Sequence, residues 1–255
     1  MSLLAFQMWE PMRQAWMSEH RFYVEQARKR LLSQFDKMEE EADKAAEEHL
    51  GEISQFFDPD RHDEADLYES AYDKGIEFYQ LLSDMQERTQ LSVIAGMYHE
   101  WDKKLREWLT RELRRWHRGE NVVKSIWKAD FSSVLDVLLV FGFDARVTAG
   151  YARLDAMRLV VNVFKHGDGT SLDELKDKYP EFVPDPLGGD WENGSRFLDH
   201  TNMKVTGEHI DQFSEAILSF WQAVPKEMWL KQEEVEVPKW FEKAYLKDRV
   251  EHERT

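Results

Sequence analysis

Arg158, Asn162 and His166 recur every four residues in the stretch Arg158-Leu-Val-Val-Asn162-Val-Phe-Lys165-His166-Gly-Asp-Gly169. On an α-helix, residues four apart are rotated by about 40°, so the three line one side. Together they could do proton-transfer chemistry on a phosphate-bearing ligand. An imidazole gains or loses a proton near neutral pH, and a helix C-terminus favours its protonated form. A guanidinium presents a planar fork of donors that suits phosphate. The same spacing admits a structural reading, in which Arg158 pairs with Asp155, Asn162 satisfies nearby groups and His166 caps the helix.

The element that must hold these side chains is a helix predicted over about 144–165, with Val147, Tyr151, Leu154, Val161 and Phe164 inward and Asp155, Arg158, Asn162 and His166 opposite. Gly167 supplies the left-handed residue that ends it. Ahead of it stands a short, nearly all-apolar helix over about 132–141. Before that, Leu91, Ile94, Tyr98, Trp101, Leu105 and Trp108 alternate three and four apart over five turns. Pro11 fits the first turn of a helix reaching about Leu50 on the stripe Val24, Ala27, Leu31, Phe35, Met38, Ala42, Ala45, with an exposed Glu/Ala-rich part over 37–48. A second helix from about Asp63 carries Tyr68, Tyr72, Ile76, Tyr79 and Leu82 and continues or kinks near Ser83-Asp84.

Downstream, Ser171-Leu-Asp-Glu174 predicts a capping box for a short helix closed by Tyr179-Pro180. Pro184 to Met203 reads as an irregular loop. Thr206 caps a helix carrying Ile210, Phe213, Ile217, Phe220 and Trp221, which Pro225 stops. The chain after Pro238 is a polar helix or arm. Strand candidates are confined to residues near Val205 and Val235. The pattern predicts an all-α helical bundle, organised as an N-terminal helical extension (1–62), a bundle (63–225) and a C-terminal polar arm (226–255).

Hydrophobic residues make up 42% of the 255, enough to fill a core and exclude a disordered chain. The absence of cysteine excludes disulfides, thiol catalysis and zinc–thiolate sites, and fits a reducing cytoplasm. No apolar run is long enough for a bilayer, so no membrane partner is expected. A net charge of −16 opposes nonspecific contact with nucleic acid and suits a partner with a basic surface.

The charge is uneven. Lys103, Lys104, Arg106, Arg111, Arg114, Arg115, Arg118, Lys124 and Lys128 stand against Glu107, Glu112 and Glu120. Arg111, Arg114 and Arg115, with Lys165 beside His166, are the residues from which a phosphate-contacting surface would be built. Alternatively this is a solvated face with internal pairs such as Glu107–Arg111. Trp101, Trp108, Trp116 and Trp127 could stack bases, though their spacing is also that of a core stripe. His62-Asp63-Glu64 and His99-Glu100 resemble metal ligands in composition only, and no repeated Glu-x-x-His spacing supports a di-metal bundle. No phosphate-binding glycine loop or zinc-protease motif is present, so neither cofactor nor metal is expected.

Two known patterns resemble the opening stretch. Asn162-Val-Phe-Lys165-His166 is similar to the asparagine box of the histidine-kinase ATPase fold. That fold also needs glycine-rich boxes and strands, which Leu187-Gly-Gly-Asp190 and Glu192-Asn-Gly194 do not supply. The order of helices over about 65–225, with Asn162 and His166 in a motif like Arg-Asn-x-x-x-His, resembles the HEPN superfamily of prokaryotic defence and toxin–antitoxin proteins. Val161 stands where the family has Arg, and Arg158 lies three residues earlier, leaving seven residues before His166 where the family's looser rule allows four to six; Arg13–His20 and Arg111–His117 satisfy that rule by chance spacing. The resemblance implies a metal-independent endoribonuclease. His166 would act on the 2′-hydroxyl or leaving group, Asn162 would match the motif Asn, and Arg158 or Lys165 would steady the phosphate. It also implies a homodimer that brings two motifs to one cleft. Non-catalytic members serve as binding modules. The sequence therefore admits an RNA-cleaving or RNA-binding protein, or an acidic, non-enzymatic partner of antitoxin or immunity type.

Overall fold

The computed structural model describes residues 2–185, 198–231 and 236–253. The fold is all-α, with one two-stranded antiparallel sheet. Strand β1 is Ser2–Gln7 and helix α1 is Glu10–Arg30. Helix α2 (Met38–Ser54) and the 50-residue α3 (Glu64–Leu113) follow. Then come α4 (Glu120–Lys128), α5 (Phe131–Val140), α6 (Tyr151–His166) and α7 (Thr170–Lys178). Helix α8 (Gly207–Ala223), strand β2 (Glu227–Lys231) and helix α9 (Lys239–Glu253) complete the order.

The core forms where the alternation of apolar residues is most regular. Leu91, Ile94, Tyr98, Trp101, Leu105 and Trp108 of α3 are all buried, and α5, α6 and α8 close around them. Residues of β1, α1 and α9, among them Phe6, Met17, Val24 and Phe241, belong to the same hydrophobic cluster. Arg13 ties α1 to the end of α8: its guanidinium donates to the Gln222 and Val224 carbonyls at 3.2 and 2.7 Å, two of the carbonyls a helix end leaves without a partner.

The strands lie elsewhere than expected. β1 pairs with β2, Leu4 opposite Trp229 and Phe6 opposite Met228, with a bulge between Leu4 and Phe6. A bulge breaks the two-residue alternation, so the consecutive Ala5 and Phe6 are both buried. The Ala5 carbonyl accepts from Trp116 Nε1 at 2.9 Å, and the Gln7 carbonyl from Trp108 Nε1 at 3.1 Å. Val205 lies in no strand, and Val235 lies outside the described residues.

Other expectations are corrected locally. The first helix ends at Arg30, because a 3-10 turn (Leu32–Phe35) turns Phe35 inward and leaves Leu31 exposed. The second and third apolar patterns belong to one continuous helix, α3. The capping box at Ser171 does not form: α7 begins at Thr170, and its N-cap, Gly169, has no side chain to accept a bond. Val147 and Phe164 are exposed, since a 3-10 turn (Ala145–Val147) and a new start at Tyr151 shift the buried face of α6. Thr206 does cap α8, sharing a capping box with His209. Of the expected loop, residues 186–197 lie outside the description, while His200–Asn202 form a 3-10 turn. The chain after Pro238 forms α9, which packs on α4.

Candidate functional site

Helix α6 carries the candidate residues. Leu154, Ala156, Met157, Leu159, Val160, Val161 and Val163 are buried, leaving one narrow polar edge. Gly167 ends the helix at φ 71°, a conformation that favours glycine, and its N–H bonds the Val163 carbonyl.

Along the polar edge, Asp155 is buried and fully engaged. Its Oδ1 accepts from Arg158 Nε and Nη2 at 2.9 and 2.7 Å, and its Oδ2 from the Tyr179 hydroxyl at 3.1 Å. Arg158 Nη2 also lies 3.4 Å from Glu174 Oε2, which accepts from Lys178 Nζ at 3.0 Å. Burial opposes the charge on Arg158, but Asp155 and Glu174 more than offset it and hold the guanidinium pKa above its ordinary value. Burial, aided by Asp155, raises the Tyr179 phenol to about 12. Burial also pushes up Tyr98, on the facing α3. The Lys178 bond lowers Glu174.

These groups border a cleft of about 490 Å³ whose lining includes Tyr98, Asp130, Asp155, Arg158, Asn162, Glu174 and Lys178. The structure thus brings Arg158 and Asn162 together. It does not bring His166 or Lys165 into this lining: both are exposed in the last turn of α6. Beyond them, Asp168 Oδ1 accepts from the His200 backbone N–H and from Nδ1 at 2.8 and 3.0 Å.

Three arginines of the basic island face acids of the chain itself. Arg115 pairs with Glu112 at 2.9 Å, Arg114 with Glu120 at 3.1 Å, and Arg111 with Glu112 at 3.5 Å. Glu107 pairs with Lys103 rather than Arg111. Trp101 and Trp108 are core residues and Trp116 anchors β1; Trp127 is the exposed member of that stripe. Among the described residues, no three His, Asp or Glu side chains group closely enough to hold a metal ion.

Two clusters escaped sequence reasoning. His117 Nε2 donates to Asp248 Oδ2 beside a second cleft, of about 500 Å³, lined in part by Arg118, Arg249 and His252. His20 Nε2 lies 2.9 Å from Ser214 Oγ in a smaller recess walled by Trp16, Trp101 and Trp221. Their partners are 131 and 194 residues apart, so no local spacing could reveal them.

The largest departure concerns charge. Residues 38–80, which form α2, its connection and the first part of α3, hold 15 acidic residues against three basic ones, a net −12 of the chain's −16. The two helices run antiparallel, with His49 near Ser70 and Gly75 near Ala42 and Ala46. Helix α2 packs chiefly on α3. Among the described residues, no helix is long and apolar enough to cross a membrane. No family model, curated protein or solved structure matches this chain.

Proposed function

We propose that this chain is an acidic protein-binding module, a HEPN-like bundle of the non-catalytic kind whose partner is a basic protein in the same cytoplasm. The carrying observation is the concentration of net charge −12 in residues 38–80, on a hairpin with few ties to the bundle. Such a surface attracts a cationic partner, speeds its association and repels nucleic acid. Of the cations that would have met phosphate, Arg158, Arg111, Arg114 and Arg115 are already engaged by Asp155, Glu174, Glu112 and Glu120. An antitoxin or immunity-type role in a defence system is the setting that fits both the charge and the resemblance.

The test is reconstitution. A basic protein captured from the native host is purified, and a stoichiometric complex with this chain is expected to weaken steeply as salt is raised. No complex between the pure components would sink the reading.

A second reading rests on the cleft shared by Arg158 and Asn162. In it, a homodimer cleaves RNA with His166 as the proton-transfer group. Cleavage of RNA by the pure protein, abolished by His166→Ala, would establish that reading and displace the first.

A further inference from the structure

The acidic hairpin exposes an apolar stripe. Tyr68, Tyr72, Ile76 and Tyr79 have the spacing of a core face, yet they are 57%, 68%, 40% and 38% exposed. At 100° per residue all four fall within about 80° of one another, a single continuous band along α3. Helix α2 meets α3 through small residues, Ala42 and Ala46 against Gly75, and an added Cβ on Gly75 would sit 3.2 Å from Ala46 Cβ. Contact that close joins the two backbones tightly at Gly75, and the stripe stays exposed beside it. The band leads at Tyr79 to a recess of about 280 Å³, whose lining includes Phe35, Met38, Glu39 and Glu40. On its other flank the helical wheel places Asp66, Glu69, Asp73 and Glu77, all exposed. Of these, Glu77 is paired with Lys74 at 2.7 Å.

We propose that this stripe docks an amphipathic helix with a basic polar face, supplied by another protein. The proposal rests on the reading of the chain as an acidic binding module, and adds the surface and the form of the partner. An apolar band repeating at three and four residues matches the anchors of a helix laid along it. The acidic borders select lysine and arginine beside those anchors. A second copy of this chain is disfavoured as occupant, because it would set two surfaces of net charge −12 against each other. Nucleic acid and an anionic membrane are disfavoured on the same ground.

The probe is a fluorescein-labelled 18-residue Leu/Lys amphipathic helix, with a scrambled peptide of equal composition as control. The full chain is titrated into each and anisotropy is read. The amphipathic probe is expected to bind at least about tenfold more tightly than the scrambled one, a difference of about 1.4 kcal/mol. Tyr72→Gln with Ile76→Gln, which keeps the charge and good helix formers, is expected to remove that advantage. Hydrogen exchange on the complex is expected to show protection over 64–80. Equal binding of both peptides, or equal binding of the amphipathic probe by wild type and double variant, would overturn the docking surface. If Glu69→Gln with Asp73→Asn then still weakened that binding, the acidic-module reading would survive without it. Sedimentation showing a dimer that the double variant dissolves would assign the stripe to a second copy and overturn the proposal.

Discussion

Asp248 of α9 accepts a hydrogen bond from His117 Nε2 at 2.8 Å, and the same carboxylate serves as the N-terminal cap of α4. Its Oδ1 takes the Asn121 N–H at 2.8 Å and Asn121 Nδ2 at 2.7 Å, while Oδ2 takes the Val122 N–H at 3.0 Å. A helix N-terminus leaves its first N–H groups without internal partners and carries partial positive charge. Here the residue that satisfies them comes from 126 residues further along the chain. The His117 ring also lies against Tyr245 at 4.9 Å, so Asp248 and this ring add to the hold that buried Phe241 and Ala244 give the C-terminal helix on the bundle.

Asp248→Ala is therefore expected to loosen α9. Burial opposes the carboxylate charge, but the bonds from His117, Val122 and Asn121 outweigh it and bring its pKa down to about 2. Loss of charge-assisted bonds and of the cap is expected to cost roughly 2–3 kcal/mol. Amide exchange should rise first in 239–253. Unchanged protection of α9 in the variant would refute this account. Because the folded-state pKa is depressed, the contribution is present above the unfolded value of 3.8 and is lost as pH falls through about 2.

Gly119→Ala probes the same joint from the other side. A Cβ on Gly119 would lie 2.0 Å from Asp248 Cγ, a distance no packed pair tolerates. The substitution is expected to destabilise the fold by about 1–3 kcal/mol. Made in the Asp248→Gly background, where the Cβ as well as the carboxylate that it would strike at 2.0–2.2 Å is gone, it should cost much less. A double-mutant cycle on denaturant midpoints measures this, and strict additivity would show that the two positions do not meet.

Arg158→Met asks whether Arg158 is held for structure. Asp155 is 6% exposed, and loss of Arg158 would leave it with the Tyr179 hydroxyl alone. The expected destabilisation is at the low end of roughly 3–5 kcal/mol, since Arg158 itself keeps some solvent contact. Asp155→Leu added to Arg158→Met should recover much of the loss. If Arg158→Met left thermal stability unchanged, the ion pair would contribute nothing and Arg158 would be available to a ligand.

How much of this was legible depended on the range of the contacts. The stripe Leu91 to Trp108 is local and regular, and it marks the core half of α3 correctly. Tyr68 to Tyr79 carries the same period on the same helix, but periodicity reports a helix with an apolar face and not what covers that face. The exposure shows only in the folded chain, where α2 meets α3 at Gly75 and leaves the four side chains open. The Arg158–Asp155 pair was readable as a three-residue spacing, and it forms. The strand β1 was not readable, because it is stabilised by a ladder to residues 227–231 and by two indole donors far along the chain. The break after Arg30 contains neither Gly nor Pro, so nothing in the local sequence marks it.

His20 sets the pH behaviour expected at mildly acid pH. Burial, reinforced by Lys104 and Arg21, lowers its pKa from 6.5 to about 4, against the opposing effect of Ser214. The groups facing it in the recess include Glu19, Glu100 and Lys104, with Lys104 bonded to Glu19. The unfolded chain therefore binds a proton at this residue between about pH 6.5 and pH 4 that the folded chain does not. Stability is expected to fall across that window as pH is lowered, and to be fully present above it. His20→Asn keeps a polar neighbour for Ser214 but does not titrate. Urea midpoints measured from pH 7 to pH 4 should decline less steeply for His20→Asn than for wild type. Parallel profiles would show that His20 is protonated in the folded state, and the buried environment assigned to it would be wrong.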